Sequence, residues 1–71
     1  MSILKFTSPE INLLTFVISG ENDPINFPTN PDYLIKMFGN TYHRLIKAKA
    51  IVNKRGVVKI TDTGYDFFLK A

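Results

Sequence analysis

No cysteine occurs among the 71 residues of this chain, so neither a disulfide nor a thiolate-bound metal can staple the fold. Whatever it adopts is held by packing alone. A chain this short has room for one hydrophobic core and buries only about 60% of the surface its unfolded form exposes. The expectation is one domain over residues 1–71 that gains from a second copy as a homodimer. Apolar residues make up 45% of the chain against 21% charged, which is hydrophobe enough to fold and too little charge imbalance for disorder.

The charges are segregated along the chain. Residues 36–59 hold Lys36, Arg44, Lys47, Lys49, Lys54, Arg55 and Lys59 with no Asp or Glu, a local charge of +7. Residues 1–35 carry Lys5 against Glu10, Glu21, Asp23 and Asp32, or −3, and residues 60–71 carry Lys70 against Asp62 and Asp66, or −1. A chain of net charge +3 therefore presents one basic third, the electrostatic footprint of a face that meets a polyanion.

Ser8-Pro9-Glu10 is a helix start, with a capping hydroxyl, a proline suited to the first turn and an acid at the positive helix end. It predicts a helix over 9–19 that stops at Gly20. Asn12, Thr15 and Ser19 form its narrow polar stripe, and apolar residues cover the rest. So wide an apolar arc suits either a central core helix or a subunit interface formed by Leu13 and Phe16, joined by Phe67 near the other end of the chain. Residues 20–30 are a Gly/Asn/Asp/Pro-rich loop in which Ile25-Asn26-Phe27 suits a very short strand. Asn30-Pro31-Asp32 starts a second helix over 31–38 that breaks at Gly39, and Asn40-Thr41 caps a third over 41–50. The alternative is one helix from Asp32 to Ala50 with Gly39 inside it.

The period then changes. Ile51-Val52-Asn53 and Val57-Val58-Lys59-Ile60 are β-branched runs around Lys54-Arg55-Gly56, the pattern of a hairpin over 51–60. Thr61 or Thr63 caps a last helix over 62–70, whose Tyr65, Phe68 and Leu69 stand on one face. The fold class expected is α+β.

On a helix starting at Asn40, residues Asn40, His43, Arg44 and Lys47 share one outward stripe while Tyr42, Leu45 and Ile46 face inward. Arg, Asn and Lys are the types that hydrogen-bond base edges in a major groove, whereas a solvated helix face would usually carry acids too. Lys36, Lys49 and Lys59 suit phosphate contacts, Lys49 reaching outward along its stem from the buried side of the helix.

The stretch LIKAKAIVNKRGVVKITDTGYDFF, residues 45–68, resembles the winged helix-turn-helix family of DNA-binding domains, and the likeness in element order extends over about residues 9–70. The chain departs from the family pattern at Asn40, where an apolar residue usually follows the turn glycine, and in its short interval between Gly39 and the first wing strand. The resemblance implies a three-helix core, a two-stranded wing and a C-terminal helix. It also implies double-stranded DNA as partner, with Asn40, Thr41, His43, Arg44 and Lys47 of the third helix in the major groove and Lys54 and Arg55 of the wing on a phosphate or in the minor groove. Small winged regulators of this kind are similar to those carried by phages, plasmids and archaeal viruses. If five to seven cations meet phosphates, the log-log salt slope of binding approaches roughly −5 to −6.

Little supports an enzyme. His43 is the one imidazole, which leaves no metal cluster and no nucleophilic triad, and the four glycines are too scattered for a phosphate loop. Asp62 is explained by capping. No catalytic residue, metal, cofactor or small-molecule ligand is therefore expected. MSILKF does not read as a signal peptide, and the longest uncharged run, Ile11–Gly20, is half of the ~20 residues a membrane span needs, so a cytoplasmic location is expected. The alternative function is a protein-interaction module on the same scaffold without DNA binding, a small subunit or an inhibitor, supported by the apolar arc of the first helix with Phe16 and by Phe67, while an acidic protein surface would also satisfy the basic face.

Overall fold

The computed structural model describes residues 8–70, and the readings made on MSILKF and Lys5 lie outside the described residues. Its elements are α1 (Ser8–Asn22), α2 (Pro31–Phe38), α3 (Asn40–Lys47), β1 (Ile51–Lys54), β2 (Val57–Ile60) and α4 (Asp62–Lys70). The class is α+β, four helices and one two-stranded antiparallel hairpin. No helix among the described residues is long and apolar enough to cross a membrane.

α1 is apolar over most of its circumference because it is the central helix, packed against α2, α3, β2 and α4. Leu13, Leu14 and Val17 have no exposed surface, and with Leu34, Leu45, Ile51 and Val58 they fill the core, each buried side chain contributing about 1.5–3 kcal/mol. One residue expected at a subunit interface, Leu13, therefore lies inside the protomer, and a second, Phe16, is half-buried. Leu13 is wholly buried, and Phe16 sits in an aromatic cluster with ring centroids 5.3 Å from Phe27, 5.8 Å from Phe38 and 6.0 Å from Tyr33. Phe67, the third, is half-buried on α4.

α1 does not stop at Gly20 but runs to Asn22. Gly20 is an interior glycine of close approach: a Cβ there would run into Thr29 Cγ2 and lie 2.6 Å from the Phe27 carbonyl oxygen. The loop it receives contains a turn where the sequence suggested a strand. Asp23 organises it, its carboxylate accepting the Asn26 backbone N–H at 3.3 Å and side-chain amide at 2.8 Å while its carbonyl accepts the Phe27 N–H. The loop reaches the hairpin through one backbone bond, from the Val58 N–H to the Thr29 carbonyl at 2.9 Å.

Gly39 breaks the chain between α2 and α3, which rules out the single long helix. Its φ of +58° and ψ of −129° are closed to residues with a Cβ. Gly39 also occupies the capping position expected of Asn40-Thr41, and α3 begins at Asn40 without a side-chain cap. α3 ends at Lys47, three residues early, because the chain closes it with a left-handed residue. The Ala50 N–H donates to the Leu45 carbonyl and the Lys49 N–H to the Ile46 carbonyl, both at 3.0 Å, with Lys49 at φ +63°. This is the Schellman pattern, with Ala50 and Leu45 making its usual apolar contact from fully buried positions.

In the hairpin Ile51 pairs with Ile60, Val52 with Lys59, Asn53 with Val58 and Lys54 with Val57. Ile51, Val58 and Ile60 share the buried face, so Lys54, Lys59, Val52 and Val57 share the opposite one. Arg55 and Gly56 form the two-residue tip with φ of +54° and +83°, the signs of a type I′ turn, and the Gly56 N–H donates to the Asn53 side chain at 3.0 Å. Thr61 caps α4 through its hydroxyl, which accepts the Gly64 N–H at 3.0 Å and donates to the Lys49 carbonyl.

Candidate nucleic-acid interface

α3 is anchored by Tyr42 and Leu45, both buried, and by the half-buried Ile46. Asn40, His43, Arg44 and Lys47 are all exposed on its other side, and Thr41 is half-buried at the edge. The ring of His43 meets that of Tyr42 edge-on at 5.4 Å, which ties the stripe to the anchored side. Burial lifts the Tyr42 hydroxyl pKa above the ordinary tyrosine value, and the Asp32 charge adds to the effect.

Between α3 and β1 lies a shallow groove of about 570 Å³ lined by Tyr42, Ile46, Lys49, Ile51, Val52, Asn53 and Thr61. At 100° per residue, His43 and Lys47 border Ile46 and hence the groove, while Arg44 lies on the far edge of the stripe, towards α1. Lys49 is not on the helix, as the sequence suggested, but in the turn after it, exposed at the groove. Lys54 and Lys59 project from one face of the hairpin, Arg55 stands at its tip and Lys36 is exposed on α2.

All seven cations of residues 36–59 are thus exposed. Ion pairs among the described residues join Lys70 to Asp66 and Arg44 to Glu10, and no carboxylate of the described residues pairs with the other six of the seven.

Three features of the site have weak or no signal in the sequence. Glu10 approaches Arg44 from 34 positions away; charge counting alone does not bring them together. Lys49 and Arg55 occupy left-handed backbone where glycine or asparagine is usual, and nothing in a lysine or arginine announces that. The Thr61 hydroxyl links the start of α4 to the turn after α3; its capping half was legible, its bond to Lys49 was not.

No protein-family model, curated protein or solved structure matches this chain.

Proposed function

We propose that the chain is a sequence-specific double-stranded DNA-binding protein, a small transcriptional regulator of winged helix-turn-helix type. The observation that carries this reading is the set of seven exposed cations on α2, α3, the turn after α3 and the hairpin, six of them without a carboxylate partner among the described residues. A solvated surface normally interleaves acids with bases. The element order is compatible with a winged helix, α3 taking the major groove and the hairpin the adjoining backbone or minor groove. An α-helix is about 10–12 Å across with its side chains, which fits the ~12 Å width of the major groove.

The test is fluorescence anisotropy of a labelled random-sequence duplex across ~50–200 mM salt, comparing wild type with Lys47→Ala/Lys54→Ala. Both side chains are exposed, so the variant keeps its fold. A steep salt dependence that flattens by about 0.9 in slope per lost phosphate contact supports the reading. Absence of binding by the folded wild type at the lowest salt refutes it.

A second reading, docking of a partner protein through an apolar contact, is favoured by Leu69 and Tyr65 of α4, which are 79% and 40% exposed. That reading predicts partner binding abolished by Leu69→Asp and a duplex titration without signal.

A further inference from the structure

The first turn of α1 brings a buried carboxylate to the far edge of the α3 stripe. The Glu10 side chain is 5% exposed and that of Arg44 61%, and the Arg44 Nη2 donates to Glu10 Oε1 at 3.4 Å. A guanidinium carries five N–H donors in a rigid plane, so one contact to Glu10 restrains the group and leaves further donors on an exposed side chain. Glu10 itself is too buried to meet an approaching phosphate. Taking Arg44 away from it would remove one charged partner from a buried carboxylate, an unfavourable step that favours the pair when an anion arrives.

We propose that Glu10 is a positioning residue for nucleic-acid recognition, holding Arg44 as a pre-organised fork for a pair of acceptors on DNA, either a guanine edge or a phosphate. The proposal rests on the DNA-binding reading above. It makes a prediction of unusual sign. Neutralising an acid on a protein that binds a polyanion ordinarily tightens binding, because a repulsion is lost. Here Glu10→Gln weakens it, because Arg44 must then be ordered at the moment of binding.

The experiment titrates the full chain into a labelled random-sequence duplex and into a duplex selected from random DNA by the wild type, with urea unfolding run on each variant. Glu10→Gln is expected to bind about threefold to tenfold more weakly, the cost of immobilising one flexible side chain, while Glu21→Gln, an exposed acid of the same helix, binds as wild type or tighter. Arg44→Lys keeps the charge but lacks the fork and shows the same loss, and the double variant is no worse than either single one. A loss confined to the selected duplex assigns the fork to a base edge; an equal loss on both, with the salt slope reduced by about 0.9 in Arg44→Gln, assigns it to a phosphate.

A folded Glu10→Gln that binds as tightly as wild type or more tightly overturns the proposal. Should Glu10→Gln not fold, Arg44→Lys decides: loss of affinity upholds the fork, and unchanged affinity overturns it. Wild type that binds neither duplex refutes the DNA-binding reading itself and this role with it, an outcome visible before any variant is compared.

Discussion

Replacing Gly64 by alanine sets two effects of opposite sign against each other inside one helix. Alanine is favoured over glycine in a helix interior by about 1 kcal/mol, so a free-standing α4 would be stabilised. In the folded chain, however, the new Cβ would overlap the Ala50 carbonyl oxygen and lie 2.7 Å from Ile60 Cγ1 and 3.0 Å from the Ala50 carbonyl carbon. That carbonyl cannot step aside. Its oxygen accepts the Thr61 N–H at 3.0 Å, and the Ala50 N–H closes α3 on Leu45. Relief must come from α4 moving outward, which strains the Thr61 cap, worth about 1 kcal/mol, and loosens Phe68 against the core. Overpacking of this kind costs about 1–3 kcal/mol, so clash and cap together outweigh the propensity gain and leave a net loss of about 2 kcal/mol. A 71-residue domain has roughly 4–11 kcal/mol in total, and the melting temperature should fall by roughly 8–16 °C. Thermal unfolding followed by far-UV circular dichroism reads this directly, with Thr63→Ala as the control: an exposed neighbour in the same turn, it should be neutral or slightly stabilising. A Gly64→Ala protein that melts at or above the wild-type temperature would refute the close approach of α4 to the end of α3.

Arg55→Asn should raise the urea midpoint, since asparagine tolerates the left-handed conformation that arginine holds at φ +54°, a gain of about 1 kcal/mol; the same change should weaken duplex binding through the lost charge. Lys49→Gly should behave alike, φ being +63° there. Burial raises the Tyr42 pKa, so the folded state holds that proton more tightly than the unfolded chain does: its contribution is intact below about pH 10 and is lost as pH rises beyond it. Alkaline unfolding of Tyr42→Phe should accordingly begin at higher pH than that of wild type, and coincident curves would refute the raised pKa.

Most of the architecture was legible because its signals are local. Pro31 after Asn30 starts α2, Gly39 ends it, β-branched runs around Arg55-Gly56 make the hairpin, and Thr61 caps α4, each decided by residues within a few positions. The outward stripe on α3 followed from the 3.6-residue period once the break at Gly39 was read. What was misread depends on distant partners. Gly20 looks like a helix stop until Phe27 and Thr29 pack onto it, and Leu13, which equally suits an interface, is wholly buried by elements distant in sequence. The end of α3 was missed for a different reason: the chain uses lysine at the one position where glycine would have announced the stop.

That lysine and its counterpart in the hairpin belong together. Lys49 and Arg55 are the non-glycine residues with positive φ among the described residues, and both are cations of the 36–59 segment. Each forgoes about 1 kcal/mol that glycine or asparagine would recover, a noticeable share of the margin of so small a domain. Backbone strain persists only where surrounding structure enforces it, here the Schellman closure at Lys49 and the two-residue turn at Arg55. Lys49 lines the groove between α3 and β1, and Arg55 stands at the outer tip of the hairpin. Both positions have the left-handed backbone that glycine and asparagine adopt at least cost. On the DNA-binding reading proposed above, a cation at each position would offset that conformational cost through contact with a polyanion, and without such a partner glycine or asparagine would serve the fold better.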